Sequence, residues 1–346
     1  MVKITITFQE IRERFAERGF TDEILQKMQD FSTNYNRIQV IREKAKQFGT
    51  PTIPRFTILM EDFLDTLSPS ELNSQLSRYR ENILNFVLLF EEFIQVGDDL
   101  LDSYFDEQNL HNFKTMLDRV IRFVLIPWEA QKFLQNMPGN LNQVIIEHIH
   151  KLQSAADIEL ALRQNPRPIT MQEFAEFTEN RNRDFFVYYS LLTPFLTEST
   201  SSWLQKFLQG YVKLDGLLDD MCDVCDDARH RTFNALLLKM EQDGNNLDRS
   251  SEQRLKRSLI NGKIYDYAVN LGLQYADQAF SAICNIDTPF SRHLRFLVNG
   301  CVEGLKIFRE YHFFDFLLEP IQTHQNLTTF LLKPYPWARL SLEELL

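Results

Sequence analysis

Two stretches of the chain are rich in aspartate and lie between apolar residues. The aspartates are Asp98, Asp99 and Asp102 in the first stretch and Asp215, Asp219 and Asp223 in the second. On a helix, steps of three and four residues place the aspartates of each stretch close to one face, where like charges cost about 0.2–0.5 kcal/mol per pair. A divalent cation removes this repulsion, and Mg²⁺ is commonly held by one or two carboxylates together with phosphate oxygens and water. The two stretches therefore predict a divalent-metal site with an anionic ligand, and the alternative for each is a solvated acidic face.

The elements that carry these aspartates are predicted to be helices. Apolar residues recur at three- and four-residue spacing along most of the chain and rarely alternate with polar ones. The clearest helical stretches are residues 79–105, 140–162, 171–192, 203–240 and 290–318. Breakers such as Pro138-Gly139 and Thr288-Pro289 separate them. No repeat of 20 to 50 residues is present, so we predict a single all-α domain over residues 1–346.

Composition excludes several classes of protein. The chain has 346 residues with 37 basic and 48 acidic side chains, a formal charge of −11, which disfavours nucleic acid as a partner. It has no apolar run long enough for a transmembrane helix and no signal peptide, and its four cysteines are too few for a disulfide scaffold. We therefore expect a soluble cytoplasmic protein and leave a homodimer open. The 29 phenylalanines indicate an aromatic core or an aromatic-lined cavity.

Two other metal-binding patterns are incomplete. Cys222 and Cys225 form a CxxC pair, but a zinc site of this type needs a second pair of ligands. Glu147 and His150 have the Glu-x-x-His spacing of di-iron helical bundles, which require that motif on two helices. Neither pattern therefore supports a metal site of its own.

The two aspartate stretches together resemble the metal motifs of class I terpene synthases, which have the isoprenoid synthase fold. The segment Asp98-Asp99-Leu100-Leu101-Asp102 resembles the DDxxD motif of that family. In its second metal motif, Asn or Asp, then Ser or Thr, then Glu are usual at the first, fifth and ninth places. Asp215, Asp219 and Asp223 occupy those places, so the chain departs from the pattern at the fifth and ninth. Residues 219–223 also resemble a second DDxxD, as in trans-prenyltransferases.

Two further segments carry the resemblance, which covers roughly residues 80–315. Residues 168–174 are similar to the segment that leads into the helix with the family's diphosphate-sensing arginine. That arginine aligns with Thr178, and Arg181, about one helical turn further on, is the nearest substitute. Arg309 and Tyr311 resemble the closing Arg-Tyr pair of the family with one residue inserted.

The resemblance implies both a fold and an activity. The fold would be a single large helical bundle around a central apolar cavity. The activity would be Mg²⁺-dependent ionisation of an allylic prenyl diphosphate, followed by cyclisation or rearrangement of the carbocation. The six aspartates would hold Mg²⁺, and the catalytic residues at the diphosphate would be Arg309, Tyr311 and Arg181.

Two alternatives remain open at this point. One is a prenyltransferase or a squalene-synthase-like condensing enzyme on the same fold. A chain-elongating enzyme would carry a Gly-Gly-Lys-x-x-Arg-Pro type motif upstream of Asp98, and this chain lacks it. The other is a non-catalytic helical binding protein that keeps the acidic helix faces.

Overall fold

The computed structural model describes residues 55–72, 76–105, 113–135, 137–164, 170–230, 233–244 and 252–310. Eleven α-helices make up most of this part of the chain. They are α1 (Arg55–Thr66), α2 (Arg80–Phe105), α3 (Phe113–Leu134), α4 (Leu141–Gln164), α5 (Met171–Arg181), α6 (Asp184–Leu192), α7 (Glu198–His230), α8 (Ala235–Gln242), α9 (Glu252–Asn261), α10 (Ile264–Ile283) and α11 (Pro289–Glu310). Three short 3₁₀ segments and one isolated antiparallel bridge between Leu72 and Leu196 complete it. The described residues are thus all-α, as the helical periodicity predicted, and none of their helices has the length and apolar character of a membrane span.

Two of the predicted helical stretches are divided in the structure. Residues 171–192 form α5 and α6 with a break at Asn182-Arg183, and residues 203–240 fall in α7 and α8. Helix α8 begins where the side-chain Oδ1 of Asn234 accepts hydrogen bonds from the backbone N–H groups of Leu236 and Leu237. Asparagine is among the preferred residues at a helix N-cap because it satisfies these donors, so α8 starts as a separate helix.

Helix α7 is the central element of the described fold. It packs most extensively on α10 and also contacts α5, α6, α8, α9 and α11. At Gly210 the two long helices approach backbone to backbone, since a Cβ at this position would lie 2.6 Å from the backbone nitrogen of Ala279. Its fully buried side chains include Phe207, Leu214, Leu218 and Met221. This packing fixes the rotation of α7 and hence the direction in which its acidic residues point.

Helix α2 is held by two buried acids and by aromatic stacking. Glu91 accepts hydrogen bonds from the backbone N–H groups of Phe56 at 2.8 Å and Thr57 at 3.2 Å, which lie in the first described turn of α1. The side chain of Glu92 is 0% exposed and forms an ion pair with Arg122 on α3. Helix α2 is therefore fastened to both α1 and α3 before it reaches its aspartate-rich end.

Candidate functional site

Arg181, the last residue of α5, meets the acidic face of α7. Its Nη2 donates to Oδ2 of Asp219 at 3.2 Å, and its Nη1 donates to Oδ1 of Asp220 at 3.3 Å. The Arg181 side chain is 28% exposed, that of Asp219 is 20% exposed and that of Asp220 is 6% exposed. The guanidinium therefore joins two adjacent carboxylates, one largely buried and one nearer the surface.

The electrostatic environment of Arg181 is strongly negative. Burial alone lowers the pKa of Arg181, but the carboxylates of Asp220, Asp219 and Asp227, together with Glu159, outweigh burial and raise the pKa above its usual value. Arg181 therefore stays charged throughout the physiological pH range. A permanent cation beside carboxylates is an arrangement that can bind an anion bridged to the carboxylates by a metal ion.

Asp220 has a structural task in addition to its ion pair. Its Oδ2 accepts a hydrogen bond from the backbone N–H of Ala235 at 2.9 Å, and its backbone carbonyl accepts one from the Asn234 side chain at 2.6 Å. Ala235 is the first residue of α8, so both oxygens of the Asp220 carboxylate are used to hold α5 and α8 against α7. This arrangement indicates that Asp220 stabilises the packing of α5 and α8 on α7 and is not a metal ligand.

Asp227 extends the cluster along α7. Its Oδ2 accepts a hydrogen bond from the Asn234 side chain at 2.8 Å. Asp227 lies eight residues after Asp219, which is a little over two helical turns on the same side of α7. We call Arg181, Asp219, Asp220, Asp227 and Asn234 the Arg181 cluster.

One contact between the end of α5 and α7 is at Gly216. A Cβ at Gly216 would lie 2.5 Å from the side-chain nitrogen of Asn182, so a larger residue there would require the Asn182 side chain to move. A second contact is aromatic, with the ring of Phe177 on α5 4.4 Å from that of Phe233, centroid to centroid. Arg181 also donates to the backbone carbonyl of Phe233 at 3.4 Å. These contacts place the guanidinium opposite Asp219 and Asp220.

The structure brings two of the predicted site residues together. Arg181 and Asp219 are in contact, whereas Asp215 is 5% exposed and lies one turn before Asp219. For Asp98, Asp99, Asp102, Asp223 and Arg309 the structure gives the helical backbone of α2, α7 or α11, and their side chains lie outside the described part. Tyr311 lies outside the described residues altogether.

Four residues around Arg181 are not among the predicted site residues, although one of them, Asp220, lies in the DDxxD-like segment 219–223. They are Glu159, Asp220, Asp227 and Asn234. Asp227 had a signal, since it continues the four-residue ladder of Asp215, Asp219 and Asp223, and Asn234 had the signal of an N-cap residue. Glu159 had none, because its effect on Arg181 arises from the packing of α4 on α5.

The chemistry of the cluster fits a magnesium ion only in part. Its donors are carboxylate oxygens, which suit Mg²⁺. Among the described side chains, however, no group of three or more histidines, cysteines, aspartates or glutamates is arranged to hold a metal ion. One or two carboxylates with phosphate oxygens and water would complete such a site, whereas a site made of described protein ligands alone would not form.

An apolar pocket lies between α1, α6 and α7. It is lined by Phe56, Leu59, Met60, Phe63, Phe185, Tyr188, Tyr189, Leu192, Leu204 and Leu208. Its volume of about 20 Å³ gives room for about one water molecule, against roughly 300–1,000 Å³ for a typical organic-ligand pocket. Leu208 lies eleven residues before Asp219, about 16 Å along the helix axis, so the pocket and the Arg181 cluster occupy different parts of α7.

No protein-family model matches the chain, and no curated protein matches it either.

Proposed function

We propose that the protein is a Mg²⁺-dependent enzyme that ionises an allylic prenyl diphosphate and cyclises or rearranges the carbocation, as class I terpene synthases do. The observation that carries this proposal is the contact of Arg181 with Asp219. A permanent cation suited to phosphate and a carboxylate suited to Mg²⁺ meet on neighbouring helices, and the carboxylate belongs to the aspartate ladder of α7. Metal and arginine together would bind a diphosphate better than either would alone.

The geometry supports separate tasks for the acids of α7. Asp219 and Asp227 are the candidate ligands, with Asp223 between them at the same four-residue spacing. Asp220 is assigned to fastening α8. The ligand set of α7 would then run from Asp219 to Asp227, one turn later than the set of Asp215, Asp219 and Asp223 that the sequence suggested.

In the proposed reaction, the carbon–oxygen bond between the allylic carbon and the diphosphate breaks. Negative charge develops on the diphosphate, and Mg²⁺ held by Asp219 and its neighbours on α7 would supply part of the neutralisation. Arg181 would donate two parallel hydrogen bonds to the diphosphate oxygens and stabilise the leaving group. The remaining predicted groups, Arg309, Tyr311 and the Asp98–Asp102 motif of α2, keep the roles at the diphosphate that the resemblance implies.

The hydrocarbon would require a larger cavity than the pocket described above. Phe56, Phe185 and Tyr188 line that pocket, and aromatic rings stabilise a carbocation by about 0.5–2 kcal/mol each. The proposal therefore includes a widening of this pocket into a central apolar cavity when a prenyl chain enters.

One observation favours a non-catalytic helical protein as the second candidate. Arg181, Asp220, Asp227 and Asn234 all make hydrogen bonds that join α5, α7 and α8. In a non-catalytic protein, a cluster of this kind would hold the three helices together and bind no ligand. The two candidates differ in whether the cluster also binds Mg²⁺ and diphosphate.

The experiment is the release of inorganic diphosphate from prenyl diphosphates of several chain lengths, with Mg²⁺ or with EDTA. We expect Mg²⁺-dependent release from at least one substrate, and loss of release in Arg181→Gln. The matched control is Arg183→Gln, because Arg183 is two residues away, pairs with Glu179 and stacks on Phe186 outside the cluster. Absence of release at every chain length would contradict the proposal and favour the non-catalytic candidate.

A further inference from the structure

Helix α3 has an inner face that packs on α2. Phe123 stacks on Phe93 with 4.6 Å between ring centroids, and Ile126, Ala130 and Leu134 are buried. These residues recur at three- and four-residue spacing and account for one side of the helix. A helix at the surface of a globular protein normally presents polar side chains on its other side.

The outer face of α3 is apolar instead. Five large apolar side chains on it are 43% to 69% exposed, namely Val120, Ile121, Val124, Leu125 and Trp128. They also follow three- and four-residue spacing, so they form a continuous stripe along about two turns. We call these five residues the α3 stripe. A helix that is apolar on both sides is typical of one that is covered on both sides.

We propose that the α3 stripe is the interface of a homodimer, in which α3 packs antiparallel on α3 of a second copy. A twofold axis at Val124 places Trp128 of each copy against Val120 of the other. The largest ring then meets a small side chain at each end of the stripe, and Val124 meets Val124 at the centre. Such a surface is complementary to itself, as a twofold interface requires.

The exposed area is sufficient for a small dimer interface. At these exposures each side chain presents on the order of 100 Å², so the stripe offers about 500 Å² per copy and about 1,000 Å² for two copies. That is the lower limit for a specific protein interface, before any polar rim is counted.

Charge favours a second copy over a membrane or a nucleic acid. Next to the stripe, Glu129 and Lys132 form an ion pair at 2.7 Å, and Arg122 is paired with the buried Glu92. The other charged residues of α3 are Lys114, Asp118 and Arg119, so the helix has a surplus of one positive charge beyond these pairs, and the whole chain has a charge of −11. An anionic lipid surface or a nucleic acid would require a cluster of several unpaired lysines and arginines around the stripe.

The first test is sedimentation equilibrium of the full-length wild type and of Val124→Glu. The proposal predicts a wild-type dimer and a monomeric variant, because two carboxylates would face each other at the axis. The control is Gln278→Glu, which adds the same charge at an exposed position on α10 and should remain a dimer. A wild type that is monomeric at all concentrations would overturn the proposal, whether or not it binds lipid vesicles.

The second test does not depend on weakening the interface. In a Cys284→Ser background, which removes an exposed native thiol, Val124→Cys treated with a short bismaleimide should give a covalent dimer, whereas the background protein alone and Gln278→Cys in it should give none above background. Circular dichroism and melting of each variant establish that it is folded. A dimeric wild type together with an uncrosslinked Val124→Cys, or a Val124→Glu variant that stays dimeric, would contradict the α3 stripe as the interface.

Discussion

Helices α2 and α7 each carry a pair of adjacent acids among buried apolar residues. On α2, Glu91 accepts the first N–H groups described in α1 and Glu92 pairs with Arg122. On α7, Asp220 fastens α8, while Asp219 is 20% exposed beside Arg181. Both acids of α2 hold neighbouring helices, whereas on α7 one acid does so and the other reaches the surface next to a cation.

The difference shows what separates a functional acid from a structural one. Adjacent acids in an apolar helix cannot by themselves identify a metal site, because Glu91 and Glu92 have that pattern and serve as fastenings. Solvent access distinguishes Asp219, because Glu92 also pairs with an arginine from another helix but its side chain is fully buried. Each of the following predictions tests one side of this comparison.

The largest effect is expected for Asp219→Asn. If Asp219 binds Mg²⁺, turnover should fall by about 100-fold, because charge on the leaving group is no longer neutralised. The melting temperature should change little, since a partly exposed ion pair contributes under about 1 kcal/mol. The measurements are diphosphate release and thermal melting on the same preparation. Glu179→Gln, which removes an exposed carboxylate from α5, is the control and should keep wild-type turnover.

The converse result is expected for Glu92→Gln. Removing the charge opposite Arg122 should lower the free energy of unfolding by about 2 kcal/mol, because the carboxylate is buried and makes a charged hydrogen bond. Turnover per folded molecule should be retained. Denaturant unfolding and diphosphate release measure the two quantities, and Glu129→Gln, in an exposed pair with Lys132, is the control. A folded but inactive Glu92→Gln would show that Glu92 is needed for activity, which would contradict its assignment as a structural acid.

A smaller loss of stability is expected for Asp220→Asn. The variant weakens the hydrogen bond to the N–H of Ala235 and the ion pair with Arg181, at a cost of about 1 kcal/mol. Because α8 begins at Ala235, hydrogen exchange of that amide should become faster. If the variant instead keeps its stability and binds Mg²⁺ more weakly, Asp220 is a ligand and its assignment here is wrong.

Much of this organisation could be predicted from the sequence, but the partners of Arg181 could not. Helical periodicity gave the helices α2, α4, α7 and α11, because apolar spacing is a local property. The contact of Arg181 with Asp219 joins residues 38 positions apart and depends on the close packing of the end of α5 on α7. No spacing rule encodes that packing.

The smallest predicted effect is a pH dependence of stability that arises from His148, which links α4 to α6. Ser190 donates to the carbonyl of Phe186 at 2.7 Å, so His148 Nε2 must be the donor in its 3.3 Å contact with the Ser190 hydroxyl. Burial lowers the pKa of His148, and Arg183 and Lys151 lower it further, against an opposing effect of Glu147.

This shift makes folding weakly dependent on pH. Since the folded-state pKa lies below the unfolded value of about 6.5, the unfolded chain binds more protons below that pH, and stability should fall as the pH drops through this range. We compare the unfolding free energies of wild type and His148→Gln from about pH 8 to about pH 5. The wild type should lose stability relative to His148→Gln as the pH falls. A difference that is constant over the range would contradict the assignment.

The most direct test of the central claim is the melting temperature in the presence of Mg²⁺ and diphosphate together. We expect the wild type to be stabilised more by the two ligands than by either alone, with a gain of about 2.7 kcal/mol at 100 times the dissociation constant. Glu92→Gln should show the same shift from its lower starting point, and Asp219→Asn should lose it. A full shift in Asp219→Asn would show that the acidic end of α7 does not bind the metal and its diphosphate.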